Sequence, residues 1–299
     1  MFIIKNQNYF LAVSLIIVVA SILSVLMYGL QKSIDFTGGA KVAFSYATTT
    51  SVTDDQIKSS LATDFGEVKL NNLSNNSYEV SLRDLKETDY PKLTQALNSV
   101  SAGAVANVSS FTMTGPIVSG EIINSAIWGV ILVVLAIILF IWFSFRSVSY
   151  PVASYKYGLI TITTLVHDII IPTGVFALLG HWYGVQIDAL FIVAILTVIG
   201  ISISDTIVVF DRIRENLKKA TKNASFESVV GNSLNETLVR SVATSAAVII
   251  VLLCLVFFGP ESTKYFSLTL TIGMFVGTYS SIFVASPLLV LAAKYWRAK

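Results

Sequence analysis

Asp205 is the residue whose setting asks most insistently for a chemical explanation. Residues 197–216 read TVIGISISDTIVVFDRIREN, so the carboxylate stands inside an apolar run, six residues ahead of Asp211, Arg212, Arg214 and Glu215, where that run ends. Holding a charge in such a segment is costly, and ionisable residues there are functional candidates by default. His167 and Asp168, in LVHDIIIP, share that condition, and Arg240 stands at the start of a further apolar run. The chemistry open to these groups is ion exchange. A carboxyl group holds its proton more tightly when desolvated and less tightly beside a guanidinium, so a helix movement that alters either can load or unload it. The alternative for Asp205 is a structural carboxylate paired with a neighbouring Arg. Asp168 reads equally as an assistant to Asp205 or as a hydrogen-bond partner for an adjacent helix. His167 reads as a packed, hydrogen-bonded histidine. Arg240 reads as a snorkelling helix-end residue or as a charge partner. The sequence shows no metal-ligand cluster, phosphate loop or Ser-His-Asp order, so no enzyme activity and no cofactor is expected.

The elements that must position these groups are membrane spans. Of 299 residues, 54% are hydrophobic and only 13% charged, with mean hydropathy +0.74, whereas a soluble domain carries about 25% charged residues. The class is an α-helical integral membrane protein. The net charge of +2 gives no reason to expect a nucleic-acid partner. Cys254 is the single cysteine; it cannot form an intrachain disulfide and reads as a small packing residue. Runs of roughly 20 apolar residues predict spans at 9–28, 122–143, 158–180, 188–209, 239–258 and 266–292, the first an uncleaved anchor and the last longer than a bilayer requires. Pro172 and Pro287 are candidate kinks, and GMFVG at 273–277 has the GxxxG spacing that allows close helix approach. With both termini cytoplasmic, twelve Lys and Arg fall inside, among them Arg146, Lys222, Arg297 and Lys299, and the short outer loops hold only Lys264. That asymmetry predicts termini in and segment 29–121 out.

Segment 29–121 reads as a folded domain between the N-terminal span (1–28) and the five-span region (122–299). AKVAFSYA alternates like a strand. Thr53 and Gln56 have capping-box spacing. EVKLNNL and SYEVSLR read as strands joined at Ser74-Asn75-Asn76, Pro91 suits the first turn of a second helix, and AVANVSSFTMT closes the domain with another strand. The order βαββαβ is the ferredoxin-like arrangement, which by itself names no function.

Four stretches together carry a resemblance: IDFTGGA at 34–40, LVHDIIIPTGVFAL in span 3, IGISISDTIVVFDRIREN at the end of span 4 and GTYSSIFVASPLL at 277–289. The chain resembles the SecD/SecF family of the bacterial Sec translocase, and within it the SecF half. The resemblance implies one half of a transporter of the resistance-nodulation-division type, with six spans and an extracytoplasmic domain after the first. It implies a multi-pass protein of the bacterial inner membrane that drives late-stage protein export with the proton or sodium gradient. It implies as partners SecD, the SecYEG channel, YajC and the translocating unfolded preprotein. It marks Asp35, Phe36, Thr37, Gly38 and Gly39 as a family motif. It assigns ion coupling to Asp205 and Arg240, with Asp168 and Ser204 beside them; where the family carries Asn immediately before the aspartate, this chain has Ser204. Three other readings compete: half of a small-molecule or lipid exporter of the same superfamily, a structural scaffold of the translocase, and an intramembrane aspartyl protease. The last would want Gly-x-Gly-Asp, and Ser202, Ile203 and Ser204 precede Asp205 instead.

Overall fold

The computed structural model describes residues 2–47, 52–66, 68–74, 76–83, 85, 87–100, 105–145, 152–221 and 224–295. Asn75, Arg146, Lys222, Arg297 and Lys299 lie outside these. The chain divides into two units, one built from 1–30, 128–182 and 190–299 and the other from 31–127 and 183–189.

The second unit is the predicted α+β domain. Strands β1 (Gly39–Ser45), β2 (Val68–Ser74), β3 (Ser77–Leu82) and β4 (Asn107–Thr114) form one antiparallel sheet in the order β2-β3-β1-β4. Helices Asp54–Phe65 and Tyr90–Asn98 complete the βαββαβ order. The Gln56 side chain accepts the Thr53 N–H at 3.0 Å, as the capping spacing predicts, and Pro91 stands in the first turn of the second helix. Alternation decides the faces: Val42, Phe44, Val80 and Leu82 point to one side and meet Ile57, Leu61, Leu93 and Leu97 from the helices, every one at most 1% exposed. Asn76 takes the left-handed turn conformation, φ 58°, that asparagine tolerates better than bulkier residues. Tyr46 donates to the Leu97 carbonyl at 2.7 Å, and burial pushes its phenol up to about 12, so this core carries no charge change near neutral pH.

Among the described residues six helices are long and apolar enough to cross a membrane, and most of their length lies in the first unit: span 1 Gln7–Tyr28, span 2 Ile117–Ile141, span 3 Tyr155–Tyr183, span 4 Ala189–Lys219, span 5 Phe226–Phe258 and span 6 Ser262–Tyr295. Spans 4 and 5 reach well beyond the apolar limits 188–209 and 239–258. Their polar extensions stay helical because they hold each other. Arg212 Nε meets Glu236 at 2.5 Å, and Asn216 Nδ2 meets Glu236 at 2.9 Å and Ser233 Oγ at 3.0 Å. The DRIREN run is thus a latch between the two helices. Cys254 is exposed on the surface of this chain, not packed inside it, because span 5 turns its small hydroxyl residues inward instead.

Span 1 shows how the helices associate. Its buried residues are all serines, Ser14, Ser21 and Ser24, while Leu15, Ile16, Leu23 and Leu26 lie exposed. Lipid satisfies apolar side chains as well as protein does, so small and polar residues form the helix contacts. Ser24 donates to the Gly174 carbonyl at 2.9 Å, and a Cβ at Gly174 would run into the side chain and backbone of Ser21. Gly174→Ala is expected to lower the thermal stability of the purified protein by about 1–3 kcal/mol, the usual cost of overpacking. Gly200→Ala, where an added Cβ meets nothing within 4 Å, should leave it unchanged or slightly raised; equal melting temperatures for the two variants would contradict this seam.

Candidate functional site

Span 3 runs helical through Pro172, whose missing N–H leaves the Asp168 carbonyl without its intrahelical donor. The Asp168 side chain is heavily hydrogen-bonded. It is 1% exposed; Oδ1 meets His167 Nδ1 at 2.8 Å, and Oδ2 accepts from Ser280 at 2.8 Å and from Ser202. His167 Nε2 in turn meets Ser14 Oγ at 2.5 Å. Spans 1, 3, 4 and 6 therefore converge on one carboxylate. The line Ser14–His167–Asp168 joins span 1 to span 3 through buried groups, with Ser14 only 3% exposed.

Two features of span 6 bring its hydroxyls to this point. Gly273 and Gly277, the GxxxG pair, lie against Val198 and Ser202 of span 4, where a Cβ at Gly273 would collide with Val198. Residues Ser281–Ala285 then form a π turn ahead of Pro287, which has no N–H to give Phe283. The Ser286 hydroxyl fills the widened turn by donating to the Ser281 carbonyl at 3.3 Å. The expected distortion at Pro287 thus appears as one wide turn. It sets Ser280 toward Asp168 and Ser281 toward Thr206, 2.8 Å away.

Asp205 sits in a different setting. Ser202 and Thr206 face the bundle at 3% and 1% exposure, whereas Asp205, between them on the helix, is half-buried. Its only hydrogen-bond partners among the described residues are Ser245 of span 5 and Thr278 of span 6, both at 3.5 Å; Thr278 gives its stronger bond to Ser245, at 2.6 Å. Arg240 is exposed, lies close enough to act on Asp205 through its charge, and makes no ion pair with it within 4.0 Å. Ser204 is exposed and, among the described residues, makes no hydrogen bond to either. The structure brings Asp205 near Arg240, places Asp168 in a separate cluster and leaves Ser204 outside both. Ser14, Ser202, Ser245, Thr278 and Ser280 were not singled out from sequence; repeated hydroxyls within apolar spans were the available signal.

The motif at 35–39 belongs to the α+β unit. Ser33 caps a single helical turn, Ile34–Thr37, by accepting the Asp35 N–H at 3.2 Å. Gly38 (φ 74°) and Gly39 (φ 127°) then swing the chain into β1, and a Cβ at Gly39 would strike the Leu82 carbonyl. Asp35 Oδ2 accepts the Ala189 N–H at 2.9 Å, while Ile187 exchanges backbone bonds with Gln31 and Ser33 at 2.7 and 2.9 Å. Phe36 is half-buried and Thr37 exposed. The motif ties segment 183–189, between spans 3 and 4, to the α+β unit.

Fold and site together define a six-span membrane protein with a ferredoxin-like domain after its first span and a loosely held carboxylate in its fourth. The family model for "Protein export membrane protein SecD/SecF, C-terminal" matches residues 93–295. A "Protein translocase subunit SecF" from Thermobaculum terrenum is 42% identical, with 96% of this chain and 92% of that protein covered. One of the same name from Desulfurispirillum indicum is 35% identical over 99% and 91%. Among solved structures, the translocon-associated membrane protein SecDF from Thermus matches with TM-score 0.83 at 29% identity. The match covers 96% of this chain but only 38% of that longer one. The chain belongs to the SecD/SecF family of protein export membrane proteins.

Proposed function

We propose that the chain is a SecF-type accessory subunit of the Sec preprotein translocase, acting with a SecD partner late in export and drawing its work from an ion gradient through Asp205. The observation that carries the coupling is the contrast between the two carboxylates. Asp168 has both oxygens bonded and almost no exposure, as a group that holds helices together should. Asp205 is half-buried, held by two 3.5 Å contacts, with a cation in electrostatic range. Such a group can take up and release a proton or a sodium ion without dismantling the bundle. Loading cancels its charge and frees Arg240 from that attraction; unloading restores it. A gradient biases a two-state motion only if the ion binds the two states unequally, and this charge switch supplies the difference. Ser241, one helical turn before Ser245, has a buried hydroxyl with no partner among the described residues, which leaves a donor for a water approaching from span 5.

Ser204 and Arg240 face outward from this chain, and the matched SecDF contains far more chain than this one supplies. Both points favour a SecD half packed against spans 4 and 5. SecYEG, YajC and the unfolded preprotein complete the assembly, in the bacterial inner membrane with both termini cytoplasmic. Orientation is tested with single cysteines in a Cys254→Ser background. Lys92→Cys, in the α+β unit, should react with an impermeant thiol reagent on intact cells, and Ser225→Cys, in the loop between spans 4 and 5, should not. The opposite pattern would reverse the topology.

A further inference from the structure

The Asp35–Gly39 motif plays no part in the ion coupling proposed above, yet its Thr37 lies in the wall of a small pocket in the α+β unit. Lys32, Ile34, Thr37, Lys69, Ser81, Leu82, Arg83 and Gln186 surround a cavity of about 20 Å³. Among the described residues three of these side chains are cationic and none is acidic, and Ser81 and Gln186 add hydrogen-bonding groups, while the Thr37 hydroxyl donates to the Ser33 carbonyl at 3.1 Å and shapes the wall. The backbone explains the convergence. The left-handed Gly38 and Gly39 lay the Thr37 turn directly against Leu82 and Arg83 at the end of β3, with room for no Cβ between. The Ile187 bonds to Gln31 and Ser33 bring Gln186 beside Lys32. Lys69 reaches the same rim from β2, its ammonium 3.5 Å from Gln31 Oε1.

We infer that this pocket binds a phosphate-bearing anion, and that its source is the headgroup of an anionic phospholipid. Cations converging with hydroxyl and amide donors match the acceptor oxygens of a phosphate. The cavity has room for little more than one or two water molecules, so it admits the phosphate tip of a larger molecule whose remainder stays outside. The position in the chain points to lipid. Lys32 follows the end of span 1 at Tyr28 by four residues, and Gln186 follows the end of span 3 at Tyr183 by three. At no more than about 3.6 Å per residue, both stay within reach of the membrane surface. An anionic headgroup in the outward-facing leaflet would pair with these cations by charge-assisted hydrogen bonds.

The test uses the full chain co-purified with its SecD partner, in nanodiscs of phosphatidylglycerol or of phosphatidylcholine, with bound lipid read by native mass spectrometry after release. Retained phosphatidylglycerol should exceed phosphatidylcholine, and Lys32→Gln/Lys69→Gln should lower that excess about thirtyfold, given about 1 kcal/mol from each of the two surface cations in anionic-lipid binding. Lys32→Arg/Lys69→Arg should keep it, which separates lost charge from lost fold. A second arm titrates inorganic phosphate into detergent-solubilised protein free of lipid. Saturable binding there that the Gln pair abolishes, without any lipid preference, keeps the anion pocket but makes its source soluble phosphate. Equal retention of both lipids together with no phosphate binding overturns the inference. None of these readouts depends on ion coupling, so failure here leaves the Asp205 reading untouched, and the reverse holds.

Discussion

Asp205→Asn is expected to insert, to fold and to co-purify with its SecD partner at normal yield, yet to lose the gradient-dependent part of export. The amide keeps the size of the carboxylate and can still bond Ser245 and Thr278, so little packing changes. What disappears is the ability to gain or lose a charge. A membrane potential supplies about 2.3 kcal/mol per elementary charge per 100 mV, and none of it reaches the protein unless some group binds the ion in one state and releases it in the other. Pulse-chase export of a secreted reporter, in cells depleted of the native protein and carrying the variant, should show slow late-stage release that an uncoupler slows no further. A structural Asp205 would behave in the opposite way: assembly would fall and uncoupler sensitivity would persist.

Asp168→Ala should fail at the level of assembly. Removing the carboxylate takes the acceptor from His167 Nδ1 and Ser202 and leaves Ser280 only its bond to the Gly277 carbonyl, at 3.0 Å. Breaking a buried charged network by deleting one partner costs about 3–5 kcal/mol, a large share of ordinary protein stability. The purified protein should melt far below wild type, and its steady-state level should fall with it. Asp168→Asn should also be destabilised, since an amide returns one acceptor but presents a donor where the other donors converge. A fully stable Asp168→Asn with export lost would move Asp168 from positioning to coupling.

The spans and the α+β domain were legible because each leaves a one-dimensional signature. Hydropathy over some twenty residues needs no knowledge of neighbours, and the alternation in AKVAFSYA and SYEVSLR names a face before any partner strand is known. Asp205 was legible for a similar reason: a carboxylate is conspicuous in an apolar run. The site around it was not. Ser14, Ser202, Ser280 and Thr278 are mild interruptions on any hydropathy scale, and a serine in a span can bond its own helix, a neighbour or nothing. Which of these it does depends on the rotation of the helix and on the distance to the next one. That distance is set by Gly273, Gly277 and Gly174 acting across spans. The same limit explains Ser204, which adjoins Asp205 in sequence but points outward, while Ser202 takes the inward bond. The polar ends of spans 4 and 5 were cut short because charges such as Arg212 and Glu236 read as loop until their pairing is seen.

Whether Asp205 carries the ion is tested most directly by flux. The protein reconstituted with its SecD partner into proteoliposomes containing a pH- or sodium-sensitive dye should admit the coupling ion when a gradient and potential are imposed. Asp205→Asn, reconstituted at equal density and with equal partner content, should reduce that flux to the level of liposomes lacking the protein. Flux of wild-type magnitude through Asp205→Asn would contradict the account, whatever the variant does to export.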